Sequence, residues 1–188
     1  MGKTGSFSMK DFKNLQQRLN KIQPNQVEIF IDSCAKELAA RLLAEVIKRT
    51  PVGDYSKEVT VVAKRDSKYH KKGDTYAKRV NPSGKLGGTL RRGWTSKTHE
   101  EAVSGSGKGD AKAYADSLKV NHFGNATVIE IVNPVEYAPY VEFGHRTRNL
   151  KGWVEGRFML TFSEQKIQDI APRVLERKIK QFLEGCMG

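Results

Sequence analysis

The glycine-rich run from Ser104 to Gly109 is the part of this chain that comes nearest to a known chemical motif. A phosphate-binding loop needs a glycine five residues before its second glycine, and a serine or threonine directly after its lysine. Ala102 stands at the first of these positions and Gly109 at the second. The run therefore does not fit the phosphate-binding pattern, and its glycines and scattered charges predict a flexible loop over about residues 100–116.

Acid–base and metal chemistry are not indicated by the other polar residues. The four histidines share no spacing typical of metal ligands; they are His70, His99, His122 and His145. Glu136 and Glu142 flank a short aromatic segment, but six residues of helix correspond to a rotation of about 600°, which places them on different faces. We interpret them as surface or interface carboxylates. The sequence predicts no catalytic residue, metal ligand or cofactor, and we expect a protein that is not an enzyme.

The length and composition limit the kind of protein that can carry these residues. The chain has 188 residues, and we expect one domain over residues 1–188. Hydrophobic residues make up 38% and charged residues 29%, which indicates a modest core with solvated projections. No apolar run approaches the roughly 20 residues of a membrane span, so we expect no membrane partner. Cys34 and Cys186 are too few for a disulfide framework and favour a reducing compartment.

Helical patterns dominate both ends of the sequence. A first helix is predicted from Ser8, with Met9, Phe12, Leu15, Leu19 and Ile22 at helical spacing. A longer helix is predicted over residues 26–49, ended by Thr50-Pro51. Its apolar stripe consists of Phe30, Cys34, Leu38, Leu42 and Val46. At the other end, apolar residues from Phe158 to Leu183 suit one long helix or two short ones, with Pro172 as the point of a kink or restart.

Strand patterns lie between these helices. The β-branched run 58–63 predicts a strand, residues 65–85 a hairpin or flexible arm, and residues 89–94 a helical turn leading into another strand. Residues 117–122 and 127–132 predict two strands joined at Gly124-Asn125, a good hairpin turn. Residues 135–144 predict a short helix with a glycine cap, and residues 145–156 a charged loop. The predicted fold class is α+β, with a small antiparallel sheet packed against long N-terminal and C-terminal helices.

The net charge of +12 is distributed unevenly. Residues 54–98 contain twelve basic and four acidic residues, so a quarter of the chain carries a net charge of +8, with tyrosines among the cations. Basic side chains neutralise phosphates and tyrosines stack on bases, so nucleic-acid contact is one interpretation. A solvated hairpin, or a loop that meets an acidic protein surface, is the other. The candidate contact residues are Lys64, Arg65, Lys68, Lys71, Lys72, Lys78, Arg79, Arg91 and Arg92.

Three stretches of the chain, taken in order, carry a family resemblance. They are Thr50–Gly53 at the end of the long N-terminal helix, Gly88–Trp94, and Asn133–Arg146, followed by Gly156–Leu160 and the C-terminal helix. Together they resemble the phage neck and tail-completion proteins, a family of tail components of long-tailed phages and prophages. The third stretch is the specific one, and the similarity spans about residues 8–184. In the family the first two stretches are almost adjacent, whereas here a basic insertion at about residues 54–86 separates them.

The resemblance implies a structural virion protein of the head–tail connection, acting as a neck, tail-terminator or tail-completion subunit. Family relatives suggest a homo-oligomeric ring, sixfold around the DNA channel, that contacts neighbouring neck, connector and tail tube proteins. The implied location is the neck or upper tail of the virion, after assembly in the cytoplasm of the bacterial host. The resemblance implies nothing about the inserted arm. A non-enzymatic DNA-binding architectural protein that uses the basic 54–98 segment is the alternative function, although no helix-turn-helix or zinc pattern is present.

The third stretch also has a physical interpretation of its own. Tyr137, Tyr140 and Phe143 recur every three residues along one side of a short helix, and Gly144 allows the chain to reverse. Such a turn can present side chains to a neighbouring subunit, although each aromatic residue could equally pack in the core. Trp94 and Trp153 have the same two interpretations, and Trp153, in a polar segment, is the better interface candidate. The candidate interface residues are Tyr137, Tyr140, Glu142, Phe143, His145, Arg146 and Trp153.

Overall fold

A computed structural model of the protein describes Gln17 and residues 23–84, 87–105 and 109–187. The predicted first helix from Ser8 to Ile22 lies outside the described residues, apart from Gln17. The helices are α1 (Pro24–Arg49), α2 (Thr89–Gly93), α3 (His99–Ser104), α4 (Ala111–Ser117), α5 (Ala138–Phe143) and α6 (Met159–Met187). The strands are β1 (Lys57–Val62), β2 (Thr75–Val80), β3 (Val120–Phe123), β4 (Ala126–Ile129), β5 (Gly144–Arg146) and β6 (Trp153–Glu155). This is the predicted α+β class, with long helices at both ends.

The long helix α1 begins and ends where the sequence indicates. Pro24 occupies its first turn, and the Gln23 amide donates to the Gln26 side chain at 3.1 Å. Thr50 ends it with an extended backbone, as expected for a residue before proline. Cys34 and Val46 of the predicted stripe are buried, whereas Ala39 and Leu43 are buried in place of their neighbours Leu38 and Leu42. Leu38 and Leu42 are only partly buried and line an apolar groove between α1 and α6.

The strands form three separate two-stranded antiparallel ladders within the described residues, rather than one continuous sheet. The ladder β3–β4 is the predicted hairpin: Gly124 and Asn125 form its two-residue turn, and Gly124 has a φ of 58°. The ladder β5–β6 replaces the predicted charged loop over residues 145–156. That prediction was wrong because each of these strands has only three residues, which is too short to show a period-two pattern.

The predicted flexible loop over residues 100–116 contains two short helices, which corrects the sequence interpretation. Thr98 caps α3 by accepting the Glu101 amide at 3.3 Å, and the Asp110 carboxylate caps α4 by accepting the Lys112 and Ala113 amides. Ala102 and Ala115 are fully buried in the core. The glycine-rich composition therefore concealed two short helices, which are stabilised by polar caps and by small alanines that pack closely. The helix α2 likewise leads into α3 and not into the predicted strand.

The core is small and lies where α1, α2 and α4 meet the start of α6. Leu43, Val46 and Val135 are at most 1% exposed, and Met159 closes the cluster from the first turn of α6. The two long helices are also joined at both ends of their contact: Phe30 stacks on Phe182 with ring centroids 4.5 Å apart, and Lys166 donates to Glu45 at 2.7 Å. Lys166 thereby lowers the pKa of Glu45, with help from Arg49. The helix α6 continues through Pro172 as a single element.

The basic insertion forms a β-hairpin arm, which we define as residues 54–84. Its strands β1 and β2 pair over six residue pairs, from Lys57–Val80 to Val62–Thr75. Neither strand packs extensively against another element of the described chain. At the base of the arm Gly53 and Gly87 are in contact, since a Cβ on Gly87 would collide with the Gly53 carbonyl. The arm therefore leaves and re-enters the domain at one point.

We expect that deletion of residues 56–83 will leave the rest of the domain folded. The arm contributes little buried apolar surface to the core, and its two ends are already held together. The change in melting temperature should stay below about 4 °C, which corresponds to roughly 1 kcal/mol for a chain of this size. Thermal denaturation followed by circular dichroism measures it. A larger loss of melting temperature would show that the arm supports the core.

Candidate functional site

The first two motif stretches pack directly on each other. The Thr50 hydroxyl accepts the indole N–H of Trp94 at 2.8 Å, and the Thr50 carbonyl accepts two guanidinium N–H groups of Arg91 at 3.1 and 2.6 Å. Thr50 is 0% exposed and Trp94 3% exposed. The Thr-Pro sequence that ends α1 is thus tied to α2 by three hydrogen bonds. Of the two interpretations of Trp94, the structure supports core packing.

The third stretch joins the same junction through Asn133. Its side-chain N–H donates to the Leu90 carbonyl at 2.9 Å, and its side-chain oxygen accepts the Val135 amide at 3.1 Å. Gly93 faces this asparagine, and a Cβ there would collide with the Asn133 oxygen and crowd Val135. The motif residues far apart in sequence therefore converge on α2. We call Thr50, Leu90, Arg91, Trp94 and Asn133 the motif junction.

Arg91 and Arg92, two of the predicted nucleic-acid contacts, are held within this fold by hydrogen bonds to backbone carbonyls. Arg91 is bound to Thr50, as described above. Arg92 donates to the Ala102 carbonyl at 2.8 Å and to the Gly87 carbonyl at 3.0 Å. Both side chains are partly buried. Their donors satisfy backbone carbonyls at the end of α1, in the last turn of α3 and, at Gly87, just before α2. Charge counting along the sequence cannot distinguish this role from solvent exposure.

A glycine turn sets the geometry of α5 and the hairpin that follows it, a region that we call the aromatic corner (residues 137–158). Gly144 ends α5 with a φ of 86°, and a Cβ there would collide with the Val154 carbonyl. The chain then runs through β5 and back through β6, with Arg146 paired with Trp153. A Cβ on Gly156 would in turn collide with the Glu142 carbonyl. Both glycines permit close backbone approaches, so the corner is compact and fixed in direction.

Glu142 does not face outward from the aromatic corner, contrary to the prediction that it contacts a neighbouring subunit. It is 5% exposed, and its carboxylate accepts the amides of Leu160 and Thr161, each at 2.9 Å. The Thr161 hydroxyl donates to the same carboxylate at 2.8 Å. Glu142 therefore caps the N-terminus of α6, where amide groups lack helical partners and the helix dipole favours negative charge. Its partners are 18 and 19 residues away along the chain, so no local capping signal reveals the role.

Four of the candidate interface residues in the corner are tyrosine, phenylalanine or tryptophan, and all four are exposed to solvent. The exposed fractions are 43% for Tyr137, 59% for Tyr140, 61% for Phe143 and 59% for Trp153. Tyr140 also makes an edge contact with the ring of His145, whose centroid is 6.1 Å away. Tyr137 is the most enclosed of the four, and this partial burial raises the pKa of its hydroxyl, with a further contribution from Tyr55. Phe143 stands beside an apolar groove of about 230 Å³ that Val132 and Pro139 also line.

This arrangement suits a protein contact and offers no evident reaction centre. Large exposed aromatic groups on a rigid turn supply apolar contact area at little cost in conformational entropy. His145 and Arg146 are exposed beside them and can provide polar contacts at the edge. Apart from Glu142, the predicted interface residues thus share one exposed region. Their contact with another subunit remains a prediction. Among the described residues, no group of three or more side chains is placed to bind a metal ion.

The remaining cations of the predicted nucleic-acid surface all lie on the arm and are exposed: Lys64, Arg65, Lys68, Lys71, Lys72, Lys78 and Arg79. Arg79 pairs with Asp54 at 3.1 Å near the base of the arm. Hydrogen bonds from Ser56 lower the pKa of Asp54, and Arg79 lowers it further. The arm cations therefore form a second candidate surface, and they come from a different part of the chain than the aromatic corner.

Comparison with protein families identifies one matching model. Residues 13–144 match the family described as "Bacteriophage HK97-gp10, putative tail-component". The match covers the first two motif stretches, the inserted arm and the third stretch as far as Gly144. No curated protein matches the chain, and no solved structure does so either. Within the described residues, none of the helices combines the length and the apolar character required to span a bilayer.

Proposed function

The chain belongs to the HK97-gp10-like family of phage tail components, and we propose that it is a structural subunit of the head–tail connection. In this role it would lie at the neck or upper end of the tail, as a tail terminator or completion protein. Membership of a tail-component family implies a place in the virion and contact with other tail or neck proteins. We assign no catalytic step to it.

The observation that carries the proposal is the exposed aromatic corner. Aromatic side chains bury about 150–250 Å² each, so four of them, each about half exposed, offer on the order of 400 Å². That is about half of the roughly 800 Å² that each partner buries in a stable interface. The aromatic corner could therefore form the apolar centre of a contact, with the polar β5–β6 loop as part of its rim.

We further propose that this contact is between copies of the chain and closes into a sixfold ring. Repeated contacts between two different surfaces of the same subunit generate a ring when the rotation closes. A ring around the DNA channel would end tube polymerisation, present a docking face to the head-side proteins and leave a passage for DNA. The sixfold symmetry and the neighbours are what the sequence resemblance implies, and the aromatic corner would supply the contact surface.

Replacing Tyr140 with alanine tests this proposal. Tyr140 is 59% exposed, so the free energy of unfolding should change by less than about 0.5 kcal/mol. Assembly should weaken strongly, since truncation of a central interface aromatic costs about 2 kcal/mol or more. Analytical ultracentrifugation and electron microscopy of the purified protein measure assembly, and complementation of a phage that lacks the gene measures tail attachment.

Phe123→Ala is the matched control for Tyr140→Ala. Phe123 is 67% exposed but lies next to the β3–β4 turn, outside the aromatic corner. We expect this variant to assemble as the unmodified chain does. Normal assembly of Tyr140→Ala, or equal loss in both variants, would contradict the placement of the interface at the corner.

A further inference from the structure

The tip of the arm concentrates positive charge on an ordered loop. We define the tip as residues 63–74, between the strands β1 and β2. Its ends are held by two hydrogen bonds, from the Ala63 amide to the Asp74 carbonyl and from the Gly73 amide to the Ala63 carbonyl. Its cations lie within nine consecutive residues, and all are exposed: Lys64, Arg65, Lys68, Lys71 and Lys72. The tip is therefore a structured loop that carries five charges in a short span.

The two acidic residues of the tip lower its net charge from +5 to +3, but in the part of the chain that the structure describes they form no salt bridge with these cations. The Asp66 carboxylate accepts the Lys72 amide at 2.7 Å, and the Asp74 carboxylate accepts the Lys71 amide at 2.7 Å. Both carboxylates thus hold the loop backbone in place. Among the described residues, none of the five tip cations forms a salt bridge. The structure therefore orders the loop while leaving its ammonium and guanidinium groups directed to solvent.

An exposed aromatic ring accompanies the tip cations. Tyr69 is 79% exposed, and the Lys68 ammonium lies 5.6 Å from the centre of its ring. The adjacent His70 stacks on Tyr76 of the stem, with ring centroids 4.1 Å apart. This stacking fixes the tip against β2, so that Tyr69 projects from a supported loop. A large exposed ring beside cations is a combination that suits stacking and phosphate contact together.

The stem holds the tip away from the domain. Directly opposed residues of an antiparallel ladder lie on the same face of it. The pairs Val59–Lys78 and Val61–Tyr76 therefore make one face of the stem partly apolar. Six paired residues at about 3.4 Å each give the stem a length of roughly 20 Å. The tip can therefore reach a partner that the rest of the domain does not touch.

We propose that the tip of the arm binds the phosphate backbone of double-stranded DNA without sequence specificity. Duplex DNA presents one negative charge per about 1.7 Å of its axis, which matches five closely spaced cations better than a protein surface of mixed charges does. Of the candidate contact residues outside the tip, Arg91 and Arg92 bind backbone carbonyls and Arg79 pairs with Asp54. Lys78 is exposed on the stem, so the densest group of cations is at the tip. The inference deepens the proposed function, on which it rests for its location, since a ring subunit would face DNA in the channel.

The test uses the full chain and a duplex of about 30 base pairs with arbitrary sequence. Fluorescence anisotropy is measured at several salt concentrations. If each chain contacts about four phosphates, affinity should fall about 100-fold between 50 and 200 mM salt. A variant with glutamine at all five tip cations should bind at least tenfold more weakly and show a shallower salt dependence. Tyr69→Ala should weaken binding with little change in the salt dependence.

A matched control removes the same charge elsewhere. Five exposed cations outside the arm are replaced by glutamine: Lys48, Lys97, Lys119, Arg173 and Lys180. This variant has the same net charge as the tip variant, and we expect it to bind DNA nearly as well as the unmodified chain. Equal loss of binding in both variants would overturn the proposal, as it would show an effect of overall charge alone.

Two further measurements distinguish a failure of the tip site from a failure of the proposed ring. Melting temperature confirms that the tip variant is folded, and electron microscopy records whether it assembles. Normal assembly with lost DNA binding supports the tip site, whereas DNA binding by a chain that never assembles would leave the tip site standing and count against the ring. Absence of DNA binding by the unmodified chain at about 50 mM salt overturns the tip site. Binding to polyglutamate in place of DNA also overturns it and favours an acidic protein partner.

Discussion

Replacing Trp94 with alanine is expected to destabilise the domain by about 3–5 kcal/mol. Trp94 is 3% exposed and belongs to the main core cluster. The substitution leaves a large cavity in the core. It also removes the indole N–H that donates a hydrogen bond to the Thr50 hydroxyl at 2.8 Å. Denaturant unfolding followed by circular dichroism measures the loss.

Two companion variants separate the packing of Trp94 from its hydrogen bond. Thr50→Val keeps the volume at the junction but removes the acceptor of the indole N–H, together with the hydrogen bond that the Thr50 hydroxyl donates to the Val46 carbonyl at 2.6 Å. We expect a smaller loss of about 1–3 kcal/mol. Trp153→Ala removes the same side chain from a site that is 59% exposed, and the change should be under about 0.5 kcal/mol. Equal effects of Trp94→Ala and Trp153→Ala would contradict the assignment of Trp94 to the core.

Replacing Glu142 with alanine is expected to cost about 2–3 kcal/mol of stability, since hydrogen bonds to a charged group are worth about 1.5–3 kcal/mol each and do not add fully. The variant leaves the amides of Leu160 and Thr161 without their acceptor at the start of α6. It also removes a negative charge from the positive end of the helix dipole. Thermal and denaturant unfolding measure the loss.

Glu136→Ala and Glu142→Gln act as controls for the capping role. Glu136 is exposed, so its replacement should change stability by less than about 0.5 kcal/mol. Glu142→Gln retains one acceptor oxygen and should have an intermediate effect. If Glu142→Ala were as stable as the unmodified chain and impaired assembly alone, the carboxylate would be an interface group as the sequence suggested.

Local signals in the sequence predicted most of the elements correctly. The helix over 26–49 is marked by its apolar periodicity and by Thr50-Pro51, and it is observed as Pro24–Arg49. The Gly124-Asn125 turn and the glycine after Phe143 also lie where predicted. These features depend on backbone preferences of a few neighbouring residues, which a sequence displays directly.

The errors concern polar residues whose partners are distant along the chain. Arg91 binds Thr50 across 41 residues, and Glu142 binds Thr161 across 19. From sequence both look like surface charges, because their burial depends on which elements meet. The two short helices of the predicted flexible loop are different: Thr98 and Asp110 are recognisable caps, and glycine content outweighed them in the sequence interpretation.

The sequence by itself determined the α+β class, the long terminal helices, the inserted basic segment and the family, since periodicity, turn residues and motif order are all properties of the linear chain. Tertiary structure alone decided which motif residues are structural and which are exposed. It buried Trp94 and Glu142 and left Tyr140, Phe143 and Trp153 at the surface. The physical reason is that burial depends on contacts between elements that are remote in sequence, and such contacts leave no periodic trace.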